Sequence, residues 1–294
     1  MQVCPADEIL VMDDGSTDLT PEILRTYRRR VQVLWQENQG LAAARNALFA
    51  RATGDLIAFL DADDIWHPTY LQVQTGMRRA HPQAVASFTG HLDFAGYVDY
   101  QWTTGPTSAQ GPVEVMNTLQ FFNRNYQAPG PFKPSFCCLS KSAFSEKSSE
   151  LAPAALRSAE DFYMFSVLTL LGRPVIYSPS PLVAYRRTPS SLSANSTQLY
   201  GYVVRAFDLL APLFEERAGP ELLGAFHLAF ASARRTYGKH LIADRRLSEA
   251  REEFWRSLHN SRNPASLAKS LTMLFVAMVW TGLGRNCRML KNVH

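Results

Sequence analysis

Over residues 1–90, short apolar runs of strand length alternate with longer stretches that carry helix punctuation. Ile9-Leu10-Val11-Met12 reads as a first strand. Thr20 as an N-cap, with Pro21 in the first helical position, predicts a helix after it. Val31–Trp35 reads as the next strand, and the alanine-rich stretch from Leu41 to Thr53 predicts a helix stopped by Gly54. Leu56–Leu60 is nearly all apolar, as a strand covered on both faces should be, and Pro68 opens another helix. Such alternation predicts an α/β fold built on a mostly parallel sheet flanked by helices.

The pattern loosens between residues 84 and 140. Strand-like AVASF and PSFCCLS are separated there by a Gly/Pro/Thr-rich stretch, Gly96 to Pro112, read as irregular or partly mobile. Glu160–Leu171 regains helical period, and Val175–Tyr177 and Leu182–Tyr185 read as two short strands bounded by prolines. Beyond Leu199 only helices are expected, including Glu221–His240 and Leu247–Leu258. A boundary is placed in the Ser/Asn/Thr-rich segment 190–197, giving an α/β domain over 1–197 and a helical region over 198–294.

Composition is that of an ordinary globular chain: 46% hydrophobic and 19% charged over 294 residues, which excludes disordered, collagen-like and disulfide-miniprotein classes. The net charge of +4 is unevenly spread. Residues 1–199 carry a net −2 and residues 200–294 a net +6, so the two parts should face different partners. The chain has no RNP-like aromatic motif, zinc-finger spacing or long basic run, and nucleic acid is set aside. Cys4, Cys137, Cys138 and Cys287 lack C-x-x-C spacing and are read as reduced thiols of a cytoplasmic protein. The opening residues carry neither a basic start nor an apolar stretch, so no signal peptide is expected. The longest uncharged apolar run, Leu271–Gly284, falls short of the roughly 20 residues that span a bilayer. It reads as a buried helix or, given Lys269 before it and Arg285, Arg288 and Lys291 after it, as a helix lying in an anionic membrane surface.

Two acidic clusters follow predicted strands directly: Asp13-Asp14-Gly15-Ser16-Thr17-Asp18 and Asp61-Ala62-Asp63-Asp64. Ligands of open α/β sheets bind beyond the carboxyl ends of the strands, so both clusters should point into one crevice. Carboxylates crowded together repel unless a cation sits among them, and oxygen ligands favour Mg²⁺ or Mn²⁺. Asp-Gly turns and solvated loop caps are the plain alternative for each cluster taken alone.

Five segments in order, EILVMDDGSTD (8–18), ENQGLAAARNAL (37–48), GDLIAFLDADDIWHP (54–68), SAEDFYMF (158–165) and YRRTPSSLS (185–193), make the chain resemble family 2 glycosyltransferases of the GT-A fold. The likeness covers roughly residues 5–195. It implies an inverting enzyme that moves a sugar from a nucleotide-diphosphate donor, with UDP the expected nucleotide, to a saccharide or lipid-linked acceptor in cell-surface polysaccharide or glycolipid synthesis. Carried over by residue, it implies that Asp14, with Asp13 beside it, contacts the base and that Arg45 lies near the nucleotide or diphosphate. Asp61 would contact ribose or sugar, Asp63 would bind the Mg²⁺ or Mn²⁺, and Asp161 of the Glu160-Asp161 pair would be the general base. Asn38 and Gly40 are expected to shape the turn into the following helix. Trp66 and His67 are candidates for lining the acceptor site, with a core position as the alternative for Trp66, and Tyr185, Arg186 and Arg187 for a loop closing over donor or acceptor or, equally, for an exposed edge strand. The expected location is cytoplasmic, with peripheral contact at the inner membrane face through the basic C-terminal helices.

Family members usually begin with a strand and helix ahead of the segment matched by Pro5–Ser16, whereas this sequence starts almost at that match. The expectation is a start lying upstream, with an inactive nucleotide-sugar-binding remnant or scaffold as the alternative. LIAFLDADDI also resembles the first motif of haloacid-dehalogenase phosphatases, in which Asp61 would be the nucleophile and Asp63 an acid/base. Ile65 stands there at the Thr/Val position, and that reading leaves DDGSTD unexplained.

Overall fold

The structure, a computed structural model, describes residues 1–96, 102, 112–126, 132–145, 150–188, 195–261 and 263–290. It divides into two compact units, Met1–Ser191 and Leu192–His294.

The first unit opens with β1 (Leu10–Asp13) and β2 (Gln32–Trp35), a parallel pair in which Asp13 stands opposite Trp35. Between them lies α1 (Thr20–Tyr27), whose N-cap is Leu19 rather than the expected Thr20. The Asp18 carboxylate accepts the Thr20 N–H at 2.9 Å, so an aspartate two residues upstream takes the role assigned to the threonine hydroxyl. The next elements are α2 (Leu41–Arg51), β3 (Leu56–Ala58) and α3 (Tyr70–Ala80), with β3 ending two residues short of the expected Leu60. Between β3 and α3 a two-residue strand, β4 (Ile65–Trp66), was not foreseen.

The loosened region holds more order than its composition suggests. It contains β5 (Ala86–Ala95), β6 (Glu114–Met116), α4 (Thr118–Tyr126), a 3-10 turn at Pro134–Phe136, β7 (Cys137–Ser140) and α5 (Lys141–Ser145). Most of the Gly96–Pro112 stretch, for which mobility was expected, lies outside the described residues. Then come α6 (Glu160–Thr169) and β8 (Val175–Arg187). Instead of two short strands, β8 is one strand of 13 residues through Pro179 and Pro181. The parallel register with β5 slips on both sides of Gly90, opposite those prolines, and such a bulge accommodates residues that have no N–H to donate.

The main sheet runs β3-β7-β5-β8-β4, with β6 also on β8. Strands β3, β5 and β8 share a direction, and β7 enters antiparallel between β3 and β5. Its core is aromatic: Phe88 packs on Phe132 at 4.6 Å and on Phe165 at 5.1 Å, and Phe121 meets Phe132 at 5.0 Å, all of them buried. Among the described residues β1 bonds only to β2, and β3 only to β7.

The second unit is helical, as expected: α7 (Ser196–Arg217), α8 (Pro220–Ala243), α9 (Leu247–His259) and α10 (Pro264–Leu290). The Asn195 side chain caps α7 by accepting the Gln198 N–H at 3.0 Å. Buried Arg234 joins three helices, donating to Asp208 on α7 at 2.6 Å and to Glu253 on α9 at 2.8 Å. In α10, Leu274 and Ala277 are buried with Leu241, Ala250 and Phe254, whereas Leu267, Leu271, Phe275 and Met278 are exposed. The buried-helix reading of Leu271–Gly284 therefore holds for one face only over the residues whose side chains are described. Apolar residues there cover more of the helix circumference than a single packed stripe needs.

Candidate active site

The turn after β1 is built by its own aspartates. Buried Asp13 accepts the Ser16 N–H at 2.9 Å, closing the loop on itself. Asp14 ties that loop to the turn before α2: it accepts from Gln36 Nε2 at 2.7 Å, from Gln39 N–H at 2.9 Å and from Gly40 N–H at 2.8 Å. Partial burial pulls the Asp14 pKa up, but these bonds and nearby Arg157 outweigh it and hold the carboxyl below its ordinary value. Gly15 sits at φ +77°, and a Cβ there would meet Asn38 N at 2.8 Å, so only glycine lets the two turns touch. Gly40 is the N-cap residue of α2, which places both expected turn formers, Asn38 and Gly40, at this junction.

One turn into α2 stands Arg45, buried between two carboxylates from distant segments. Its Nη2 donates to Asp61 Oδ1 at 2.7 Å and its Nη1 to Glu160 Oε1. Burial alone would lower the Arg45 pKa, and the Asp61 and Glu160 charges more than reverse that. Burial and the neighbouring Asp161 raise the pKa of Glu160, against the opposing pull of Arg45. Glu160 is 8% exposed and fully committed to this pair, while Asp161 is 22% exposed. Asp161 accepts the Phe162 N–H at 2.7 Å and lies 3.5 Å from Lys133 Nζ, whose pKa that carboxylate raises. Ala159, the residue before both acids, is held left-handed at φ 62°, a conformation costing about 1–2 kcal/mol for a non-glycine residue. That kink starts α6 with its two carboxylates in the first turn.

The 61–64 loop is pinned from β8 and from the 3-10 turn. Asp61 N–H donates to Ser135 Oγ at 2.9 Å, and Trp66 Nε1 donates to the Ser135 carbonyl at 2.8 Å. Arg186 donates through Nε to the Asp63 carbonyl at 2.9 Å and through its backbone N–H to Asp64 Oδ1 at 3.0 Å. Burial pushes the Asp64 carboxyl up to about 6, with Asp61 and Asp63 adding to the effect. Asp63, by contrast, is exposed. Among the described residues no three His, Cys, Asp or Glu side chains converge to form a cation site made by protein alone. A divalent ion bridging a diphosphate needs only one or two protein carboxylates, the remaining positions going to phosphate and water, and the exposed Asp63 on a pinned loop fits that requirement.

Other residues singled out from sequence take packed positions. Trp66 stacks on Tyr70 at 4.2 Å, and buried His67 sits 2.8 Å from Thr69 Oγ1 and edge-on to Trp102. Tyr185, Arg186 and Arg187 end β8; Arg187 pairs with Asp93 at 3.1 Å and lies over the Tyr185 ring. Residues 189–193 of that motif lie outside the described residues.

The fold thus joins Arg45, Asp61, Glu160 and Asp161, and links Asp14 to them along α2. Asp13 serves the turn itself. Lys133, Ser135 and the loop-pinning role of Arg186 were missed from sequence, because each acts through a partner that no local pattern announces.

The family model described as Glycosyl transferase family 2 matches residues 2–149. An uncharacterised glycosyltransferase of Nostoc sp. is 38% identical over 109 residues, covering 36% of this chain and 33% of that protein. A putative teichuronic acid biosynthesis glycosyltransferase of Bacillus subtilis, TuaG, is 28% identical over 197 residues, covering 65% of this chain and 71% of that protein. Among solved structures, S. aureus TarS aligns with TM-score 0.64 at 15% identity, over 94% of this chain and 49% of that one. A shorter TarS in complex with UDP aligns at 0.53 and 18% identity, over 88% and 81%. The mannosyltransferase PcManGT of Pyrobaculum calidifontis, in complex with GDP-Man and Mn²⁺, aligns at 0.53 and 17% identity, over 96% and 76%. At such identities the structural likeness speaks for the fold, GT-A.

Proposed function

Because this chain belongs to glycosyl transferase family 2, whose model matches residues 2–149, we propose that it moves a sugar, with inversion, from a nucleotide-diphosphate donor to an acceptor hydroxyl. The observation that carries this reading is the Arg45–Asp61–Glu160 network, which draws three of the five motif segments into one place and leaves Asp161 accessible beside it. The solved relatives bound to UDP and to GDP-Man with Mn²⁺ support a nucleotide sugar and a divalent cation, and UDP is the nucleotide we assign. TuaG, named for teichuronic acid, supports a saccharide or lipid-linked acceptor of cell-surface polysaccharide synthesis.

In this reading the turn organised by Asp13 and Asp14 receives the nucleotide base, and Asp61, oriented by Arg45, faces ribose or sugar. Asp63 would hold Mg²⁺ or Mn²⁺, which when bound supplies Lewis-acid stabilisation of the departing diphosphate. Asp161 takes the proton of the acceptor hydroxyl as that oxygen attacks the anomeric carbon from the face opposite the nucleotide. Calorimetry on the 294-residue chain tests the donor site. UDP should bind in the presence of Mn²⁺, and Asp63→Ala should weaken that binding at least about tenfold, the loss of roughly 1.4 kcal/mol of metal-mediated contact. A folded sample that ignores UDP, with or without metal, would leave the inactive-remnant alternative standing in place of this reading.

Among the described residues no helix is long and apolar enough to cross a membrane. The exposed Leu267, Leu271 and Phe275 recur at four-residue spacing on α10, near Lys269, and we assign this face to peripheral contact with anionic lipid on the cytoplasmic side. Co-sedimentation with phosphatidylglycerol vesicles at low salt should fall roughly tenfold in Phe275→Asp, which removes one inserted aromatic side chain. Equal sedimentation of the variant would end that assignment.

A further inference from the structure

The second unit contains a groove of about 380 Å³ between the first half of α7 and the turn joining α8 to α9, lined by Gln198, Tyr202, Arg205, Tyr237, Asp244 and Arg246 among others. Its chemistry is mixed in a specific way. Two phenol rings supply flat apolar faces with a polar edge, Gln198 supplies an amide, the Asp244 carboxylate supplies an acceptor for sugar hydroxyls, and two guanidinium groups supply directed N–H donors, of which Arg246 lies near Asp244 and Arg205 carries the positive charge left for an anion. Arg205 is exposed and carries no ion pair among the described residues. Arg246 is held in place by Glu249, which accepts from its Nε at 2.8 Å and its Nη2 at 2.7 Å.

Two backbone features keep the groove in this form. A Cβ on Gly201 would lie 3.2 Å from Tyr237 Oη and 3.3 Å from its Cζ, so the missing side chain is what lets the phenol settle against α7. At the α8–α9 turn, Arg245 takes a left-handed φ of 61°, a position usually filled by glycine, while its N–H donates to the Ile242 carbonyl at 2.9 Å and the Arg246 N–H to the Leu241 carbonyl at 2.8 Å.

Apolar faces combined with hydroxyl and amide groups match a pyranose ring, and an exposed, unpaired guanidinium matches an anionic substituent on that ring. We propose that this groove binds an anionic sugar unit, a hexose bearing phosphate or carboxylate, and that the helical unit thereby selects the acceptor. The acceptor role, though not the binding itself, rests on the glycosyl-transfer reading above.

The test is saturation-transfer NMR and calorimetry on the full chain with glucose 6-phosphate, glucuronate, glucose and inorganic phosphate, with UDP titrated into the same sample. Glucose 6-phosphate or glucuronate should bind at least tenfold more tightly than glucose and than inorganic phosphate, and whichever of the two is preferred identifies the anion. Arg205→Gln should weaken that binding at least tenfold and leave UDP affinity unchanged. Gly201→Ala, a favourable change within a helix, should displace Tyr237 and weaken the sugar as well. Binding of UDP without either anionic sugar would overturn the proposal and leave the transferase reading intact. Equal affinity for inorganic phosphate and the anionic sugars, or binding indifferent to Arg205→Gln, would overturn it too. Binding of the anionic sugar by a sample that ignores UDP would sustain the groove and remove its acceptor role.

Discussion

Replacing Arg45 with methionine is expected to lower the free energy of unfolding by about 3–5 kcal/mol, the usual cost of removing one partner from a buried ion pair. The guanidinium bonds the Glu160 carboxylate and bridges it to Asp61, and both Arg45 and Glu160 side chains are under 10% exposed. Methionine fills much of the space, so the loss reports uncompensated charge more than a cavity. The sign of the pH dependence follows. Burial and Asp161 already raise the Glu160 pKa, and without Arg45 the strongest influence opposing them is gone. A carboxyl whose folded pKa lies above its unfolded value binds more protons when folded, so stability is full below the unfolded pKa and is lost as pH rises through the folded one. The variant should therefore be closest to the parent in mild acid and fall away toward neutrality. Urea unfolding at pH 5 and pH 7.5 measures this, and Arg45→Met combined with Glu160→Gln should recover most of the loss at the higher pH. A cost below about 1 kcal/mol for the single change would sink the account of Arg45 as a buried bridge.

Asp161→Asn carries the second large effect: turnover should drop about 10²–10⁴-fold, the usual contribution of a positioned general base. Glu160 and Asp161 are adjacent in sequence, and their surroundings separate them. Glu160 is spent on Arg45 and closed to solvent, whereas Asp161 retains an accessible carboxylate that accepts its neighbour's N–H and makes a long contact to Lys133 at 3.5 Å. Asparagine preserves shape and can still accept the Phe162 N–H, so folding and UDP affinity should stay near the parent values. Glu160→Gln should instead show itself in the unfolding curve, since it weakens the charge-assisted bond to buried Arg45. Sugar transfer, measured together with UDP binding, decides the matter. Asp161→Asn activity above a tenth of the parent's would move the base elsewhere.

Much of this molecule is written in its local pattern. Leu10–Asp13, Gln32–Trp35, Leu41–Arg51 and Glu160–Thr169 form where apolar period and helix punctuation place them, because a strand or helix with a continuous apolar face specifies itself over a few residues. The ordered motifs likewise identify the family from side chains alone. Strands β4 and β6, two and three residues long, are too short to carry a period, and they exist because β8 offers them an edge. The length of β8 depends on a bulge in β5, which no reading of its own prolines could supply. The acidic residues could be named as candidates from sequence, but not told apart. Asp14 bound by three donors, Asp61 paired with Arg45, Asp63 left in solvent and Asp64 buried with a raised pKa are outcomes of partners distant in sequence: Gln36, Arg45, Arg186 and Ser135. Local sequence determines which elements can form and which chemistry is at hand. Burial and the pairing of charges across more than a hundred residues of chain, as between Arg45 and Glu160, decide the state of each group, because desolvation depends on what the whole fold packs around it.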